Sequence, residues 1–476
     1  MAVLQLALLF ALTALNAYKL VLLVLLARRR NICAPNLPRE WPHVVVQIPL
    51  YNERSVARRA IDAVCRFDYP IERLTVQVLD DSTDDTVQIV DAAIREWAGR
   101  GPTIEHRRRR SRDGFKAGAL RDGLRATQAE LVAVFDADFV PGPDFLKRTV
   151  GYFSDPRIGV VQTRWTFLNS ESSLLTSVQA LFLDGHFLVQ HAARSRWGLF
   201  FHFNGTAGIW RRAAIESAGG WSAATLTEDL DLSYRARLAG WHFAYAEDVG
   251  VPSELPPTLA ALKSQQFRWA KGMTQVALRL LPSLWRARLA WSVRLDATVH
   301  LLSGLSYPLT LTTTILAIPW LLAGAPRTPG AGALLPLVAF NSCINLAFYG
   351  AGAWRAGVRG WKPFARLLGM LPVGMGLSLN GTLAVLAGLI GWPSTFVRTP
   401  KQGLVGRARW LPRHAYASRG GPPWELALAT AYAATALAIV PNATPVALAF
   451  LALFGLGYFY VSGLHAVEWV RRVRAR

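Results

Sequence analysis

Cysteine and acidic residues are what this chain most lacks. Cys33, Cys65 and Cys343 are the only cysteines in 476 residues, and they form no CxxC pair, which excludes a disulfide scaffold. Charged residues make up 17%, against roughly 25% in an ordinary globular domain. The shortage is one-sided. Of 31 acidic residues, 28 lie between Glu40 and Glu254, and only Asp296, Glu425 and Glu468 follow, while Lys and Arg continue to the end. Hydrophobic residues reach 52% and the mean hydropathy is +0.24, so disorder is excluded and a membrane protein with a soluble insert is expected. The net charge of +21 sits in basic loops between apolar runs, as the positive-inside rule produces. No recognised nucleic-acid module accompanies it, so no nucleic-acid partner is expected.

Residues 3–27 carry Lys19 as their only charge and precede Arg28, Arg29 and Arg30. The run is long enough to cross a bilayer at ~20 residues per span. Its charges follow rather than precede it, so 1–30 is expected to be a retained transmembrane anchor, not a cleaved signal. From 40 to 257 the texture is that of a soluble α/β domain. β-rich runs at 43–48, 74–79, 131–135 and 159–165 alternate with helix-period segments at 55–67, 86–97, 145–153 and 229–239, which implies a mostly parallel sheet. Residues 258–294 mix Arg, Lys and Trp with Leu and Val at helical spacing, so amphipathic interfacial helices are expected at 265–281 and 284–293.

Two spans are expected within 295–354, at about 297–322 and 331–353, and two more within 424–476. The apolar stretch 367–392 has basic loops on both sides, within 355–423, and is rich in Gly with Pro372. It is therefore read as interfacial or re-entrant, which leaves about five spans.

The acidic residues cluster where an α/β sheet binds ligands, beyond the carboxyl ends of strands. Asp80 and Asp81 end one apolar run and precede a helix that Ser82, Thr83 or Asp84 could cap. A carboxylate there can also accept from a nucleotide base. Asp136 and Asp138 follow another run at i and i+2, so that both point the same way. Such hard oxygen ligands suit Mg2+ or Mn2+ bridging to a diphosphate. Lys116 stands at a helix start, where a phosphate would be favoured. Thr227-Glu228-Asp229 opens a helix; its acids suit the macrodipole, and Asp229 is the candidate general base toward a sugar hydroxyl. Gln265, Arg268 and Trp269 bring an amide, a guanidinium and an indole within five residues. They suit a pyranose face and a departing diphosphate, or the anchoring of an interfacial helix.

Taken in order, these motifs resemble the membrane-embedded family 2 glycosyltransferases. Among these are cellulose, hyaluronan and chitin synthases, and especially the plant cellulose-synthase-like mannan and glucomannan synthases with their bacterial relatives. The resemblance rests on Pro49-Leu50-Tyr51-Asn52-Glu53, Asp80-Asp81-Ser82, Phe115-Lys116-Ala117-Gly118, Asp136-Ala137-Asp138, Phe203-Asn204-Gly205-Thr206-Ala207-Gly208, Thr227-Glu228-Asp229 and Gln265-x-x-Arg268-Trp269. It covers roughly 43–272. A further match, at Phe396, Thr399 and Lys401, resembles the gating loop of cellulose synthases, but has Arg398 where valine is usual and Gln402 between lysine and glycine.

The resemblance implies a cytoplasmic GT-A-type nucleotide-sugar-binding domain joined to an α-helical transmembrane region. In it Asp80 would hold the base, Tyr51 and Glu53 would line the nucleoside site with Asp81, and Asp136 and Asp138 would hold metal and diphosphate with Lys116. Asp229 would act as base beside Thr227 and Glu228, Arg268 would meet the leaving group, and Trp269 and Gln265 the acceptor. The implied reaction polymerises sugar from GDP-mannose or UDP-glucose into a β-linked polysaccharide, using Mg2+ or Mn2+. The alternative is a non-processive enzyme glycosylating a membrane lipid. The implied location is the plasma (inner) membrane, or the Golgi in a eukaryote.

Overall fold

A computed structural model describes residues 2–28, 38–324, 333–393, 399, 401–406 and 424–474. Its centre is a sheet of β1 (Val44–Leu50), β2 (Leu74–Asp80), β3 (Thr103–Arg108), β4 (Leu131–Val134), β5 (Ile158–Phe167), β6 (Gly208–Arg211) and β7 (His242–Ser253). The strand order is β3-β2-β1-β4-β6-β5-β7. β1 runs parallel to β2 and β4, β2 to β3, and β5 to β7, while β6 is antiparallel to β4 and β5.

The central strands read as near-continuous apolar runs because helices cover both faces. Val44, Val46 and Ile48 pack on one side with Phe135 and Phe145. Val45, Val132 and Val134 pack on the other with Phe187 and Trp210. Leu22 and Leu26 of the N-terminal helix and Phe348 of a later apolar helix join this second core, so the sheet domain rests directly on the membrane-type helices.

The four expected strands and four expected helices all form. The sheet also contains β3, β6 and β7, which the alternation did not single out. β3 takes in Arg107 and Arg108, the start of the basic run 107–112. A long helical rod, Leu174–Asp184, Gly185–His191 and Ala192–Arg196, has a π-helical middle.

Where two interfacial helices were expected there is one. Leu259–Arg286 runs 28 residues through Pro282. Proline removes a backbone hydrogen bond, but Leu280 and Leu284 on either side are buried among Tyr234, Val276 and Leu301, which holds the helix together.

Among the described residues, four helices are long and apolar enough to cross a membrane: Val3–Ala27, Trp291–Leu322, Leu334–Arg355 and Pro445–Val470. The second begins at Trp291, six residues before its expected start. Trp424–Ile439 is apolar but shorter, and the stretch read as re-entrant is a pair, Pro363–Gly376 and Ser378–Leu389, bent by 47°.

Candidate active site

The carboxyl ends of β1, β2 and β4 open onto one cavity of about 200 Å³. β2 delivers two aspartates with different surroundings. Asp80 is 1% exposed. Its Oδ1 accepts from the Ser82 N–H at 2.8 Å, and its Oδ2 from His106 Nε2 at 3.0 Å. His106 also donates through Nδ1 to Asp91 at 2.8 Å. The Asp80 bond raises the His106 pKa despite burial. In turn, burial raises the pKa of Asp80, but the His106 and Ser82 hydrogen bonds outweigh it and keep the group ionised. Both oxygens of Asp80 thus accept hydrogen bonds from within the protein, and its neighbour Asp81, rather than Asp80 itself, is among the residues lining the cavity.

Asp81 does line it, held by Arg109 through Nε at 2.9 Å and Nη2 at 2.5 Å. Beside it the Arg112 guanidinium lies 3.3 Å from the centre of the Tyr51 ring. Asn52, at a left-handed φ of 55°, donates its N–H to Ser82 Oγ and accepts from the Thr83 N–H, each at 2.8 Å. This ties the loops after β1 and β2 together and sets Tyr51 and Glu53 on the cavity wall.

Beyond β4 the alternation holds. Phe135 and Ala137 pack in the core, while Asp136 and Asp138 line the cavity. Lys116 donates to Asp136 Oδ1 at 2.6 Å and to the Gly205 carbonyl at 2.8 Å, and lies 3.9 Å from Glu228. Burial lowers the Lys116 pKa, but Asp136 and Glu228 outweigh it, so the ammonium persists. Gly205 has φ +79°, and a Cβ there would meet Asp229 Oδ2 at 2.9 Å, so only glycine fits between Lys116 and Asp229. Burial, and then the Glu228 carboxylate beside it, hold the Asp229 pKa well above the ordinary carboxylate range. A carboxylate raised toward neutrality in a cleft has the character of a general base.

Thr227, Glu228 and Asp229 are positioned by the helix Leu259–Arg286. Gln275 Oε1 accepts from the Leu226 N–H at 2.9 Å, and a Cβ on Gly272 would meet Thr227 at 2.5 Å. The same helix contributes Gln265, Arg268 and Trp269 to the cavity. Arg268 donates to Thr399 Oγ1 at 2.9 Å, and burial lowers its pKa to about 10, which leaves it a cation.

Lys401 pairs with Asp138 at 2.6 Å. Just beyond, the Glu254 carboxylate accepts from the N–H groups of Gln402, Gly403 and Leu404 at 3.0, 2.8 and 3.1 Å. Thr399 and Lys401 therefore lie on the cavity, while Phe396 and Arg398 fall outside the described residues.

A second cavity of about 460 Å³ begins at the same place. Thr227, Asp229, Gln265 and Trp269 line both, and the larger one continues between the apolar helices as far as Leu9 and Phe454. Its near end holds Asn204, whose Nδ2 donates to His186 Nε2 at 2.8 Å and to His202 Nε2 at 3.2 Å.

Sequence reasoning gave no role to His106, Arg109, Arg112, Glu254 or Gln275. His106 and Glu254 had a signal: His106 stands on the strand next to the one that ends in Asp80, and Glu254 directly follows β7. Arg109, Arg112 and Gln275 had none short of the folded structure.

Fold and site define a GT-A glycosyltransferase, an enzyme that moves a hexose. Residues 42–272 match the model of the glycosyltransferase-like family 2. Glucomannan 4-beta-mannosyltransferase 2 of Arabidopsis thaliana is 38% identical over 389 residues, covering 76% of this chain and 68% of that protein. The probable glucomannan 4-beta-mannosyltransferase 7 of Oryza sativa subsp. japonica is 50% identical over 238 residues, 49% of this chain and 41% of that one. The chain belongs to the family 2 glycosyltransferases. In fold it is similar to the mannosyltransferase PcManGT from Pyrobaculum calidifontis, solved with GDP-Man and Mn2+. The TM-score is 0.55 at 21% identity, over 81% of this chain and 99% of that one.

Proposed function

We propose that the protein is a processive inverting β-mannosyltransferase that takes mannose from GDP-mannose and extends a β-linked mannan-type chain. The observation that carries this reading is the junction of the two cavities at Asp229 and Trp269. One cavity is ringed by ion pairs suited to a nucleoside diphosphate, and the other leads away among mostly uncharged side chains, with Lys19 the exception along the way. The mannosyltransferase relatives favour mannose over glucose as the sugar transferred.

The donor's nucleoside would lie by Tyr51, Glu53 and Asp81, with its diphosphate toward Lys116, Arg268 and Lys401. The acceptor hydroxyl attacks the anomeric carbon. A new C–O bond forms as the bond to the diphosphate breaks, and the electron pair leaves with the diphosphate. Asp229 Oδ takes the hydroxyl proton, and the raised pKa suits that transfer. Arg268 and Lys116 meet the charge developing on the leaving group as fixed, largely desolvated cations. Attack from the face opposite the diphosphate turns an α-linked donor into a β-glycoside. Trp269 offers an indole face to the terminal acceptor sugar.

Among the described residues no group of three His, Cys, Asp or Glu side chains is placed to hold a metal ion alone. Asp136 and Asp138 on one wall supply two hard oxygen ligands, which suits Mg2+ or Mn2+ sharing its remaining positions with substrate phosphate and water. Bound there, the ion would neutralise diphosphate charge.

The basic loops support a sheet domain on the cytoplasmic side of the inner membrane, or of the Golgi membrane in a eukaryotic cell. Five crossings then include Trp424–Ile439, with the bent pair re-entrant.

Purified protein in lipid, given labelled GDP-mannose or UDP-glucose separately, should build a polymer from the first that linkage-specific β-mannanases digest. A product wholly extractable into organic solvent and carrying a single sugar would make it a glycolipid synthase instead.

A further inference from the structure

Lys19 has no use in the reaction described above, yet it lines the larger cavity from the middle of an apolar helix. A cation within the span of a membrane is costly and is retained for function. Among the described residues no carboxylate pairs with it. Its ammonium donates to Asn345 Oδ1 at 2.5 Å and lies over the rings of Phe348 and Tyr349, 5.7 and 5.2 Å from their centres, a favourable setting for a cation.

An ammonium has three donors and no acceptor, so two N–H groups remain for something in the cavity. Its neighbours are amides: Asn16 donates to Asn341 Oδ1 at 3.0 Å, and Asn345 Nδ2 donates to the Asn341 carbonyl at 2.8 Å. Among the described residues Lys19 is the cavity's only lysine or arginine, and the rest of its lining is mostly amide, hydroxyl, aromatic and aliphatic. An anionic occupant would meet one positive side chain and a long uncharged wall. A pyranose offers hydroxyl and ring oxygens to the ammonium, hydroxyl donors to the amide oxygens, and apolar faces to the rings.

We propose that Lys19, Asn16, Asn341 and Asn345 form a distal sugar subsite, which grips the growing glycan several residues behind the one that accepts mannose. The cavity follows the N-terminal helix from Lys19 to Leu9, ten residues or ~15 Å at helical rise, room for more than one ring. The proposal rests on the polymerase reading. It adds that acceptor use depends on acceptor length through one half-buried lysine.

The test is elongation of manno-oligosaccharides of increasing length by the full chain in lipid nanodiscs. In the wild type, KM should fall at the length that first reaches Lys19, by about tenfold, the loss that corresponds to one hydrogen bond to a charged donor. Lys19→Met should abolish that step, while Lys19→Arg should keep most of it. Asn345→Asp keeps the lysine but gives it a carboxylate partner, and should abolish the step too. That variant serves if Lys19→Met fails to fold.

A length step unchanged in both Lys19→Met and Asn345→Asp would overturn the subsite while leaving the polymerase reading intact. A wild type that transfers one sugar regardless of acceptor length would overturn both.

Discussion

The two cavities that meet at Asp229 and Trp269 are built by opposite strategies. The smaller is a lattice of opposite charges: Arg109 with Asp81, Lys116 with Asp136, Lys401 with Asp138. Each carboxylate or cation has its partner before any substrate arrives, so binding a nucleoside diphosphate exchanges partners rather than stripping bare charges of water. The larger is lined, apart from Lys19 and Asp229, mostly by amides, hydroxyls, imidazoles, rings and aliphatic chains, a wall that suits a neutral polymer that must advance. On the proposed reading, the difference lets one enzyme hold its donor firmly and its acceptor loosely.

The largest expected effect lies at the junction. Asp229→Asn should leave GDP-mannose binding near normal and reduce turnover by ~10²–10⁴, as expected of a lost general base. Stopped-assay rates above half of wild type would remove Asp229 from that role.

Trp269→Ala should act on the other cavity alone. Losing an aromatic face costs on the order of 1–3 kcal/mol, or about ten- to a hundredfold in acceptor retention. Product should shorten on sizing gels while slow donor hydrolysis persists. Equal losses in donor affinity, measured by calorimetry, would show that the two cavities are not separable at this residue.

The smallest effect is a displaced pH profile. Asp229 must be ionised to take a proton, so activity should rise with pH through its raised pKa, well above the usual carboxylate value of about 4. Removing the neighbouring negative charge in Glu228→Gln should lower that pKa and move the acid limb of kcat/KM to lower pH. A limb that stays put or moves upward would show that Glu228 does not set it.

The charged cavity was the legible one. Its carboxylates follow apolar strands in short motifs, and a strand end is a local feature that a sequence displays. The exception is instructive: Asp80 and Asp81 are adjacent and alike in sequence, and only β3, which brings His106 beneath one and leads into Arg109 beside the other, distinguishes them. That strand went unread because its basic residues mimic a solvated loop. The larger cavity was legible at its near end alone, in Thr227, Asp229, Gln265 and Trp269. The rest of its wall comes from single residues such as Asn16, His186 and Asn345, on helices far apart in sequence, and one amide on an apolar helix carries no signal until its neighbours are known. Lys19 alone stood out, because charge in such a helix is rare.

The missing Cβ at Gly272 has a practical consequence for redesign. Because Thr227 fills the space a side chain would need, and Gln275 holds the N–H just before it, the helix Leu259–Arg286 is the floor beneath the proton-accepting carboxylate as well as one wall of the acceptor path. Substitutions on that helix meant to change which sugar is extended will also tilt the base, and selectivity gained there will be entangled with lost rate. The helix Leu334–Arg355 faces the same path through Asn341 and Asn345 without touching Thr227 or Asp229. It offers an engineer the place where the acceptor can be altered and the chemistry left standing.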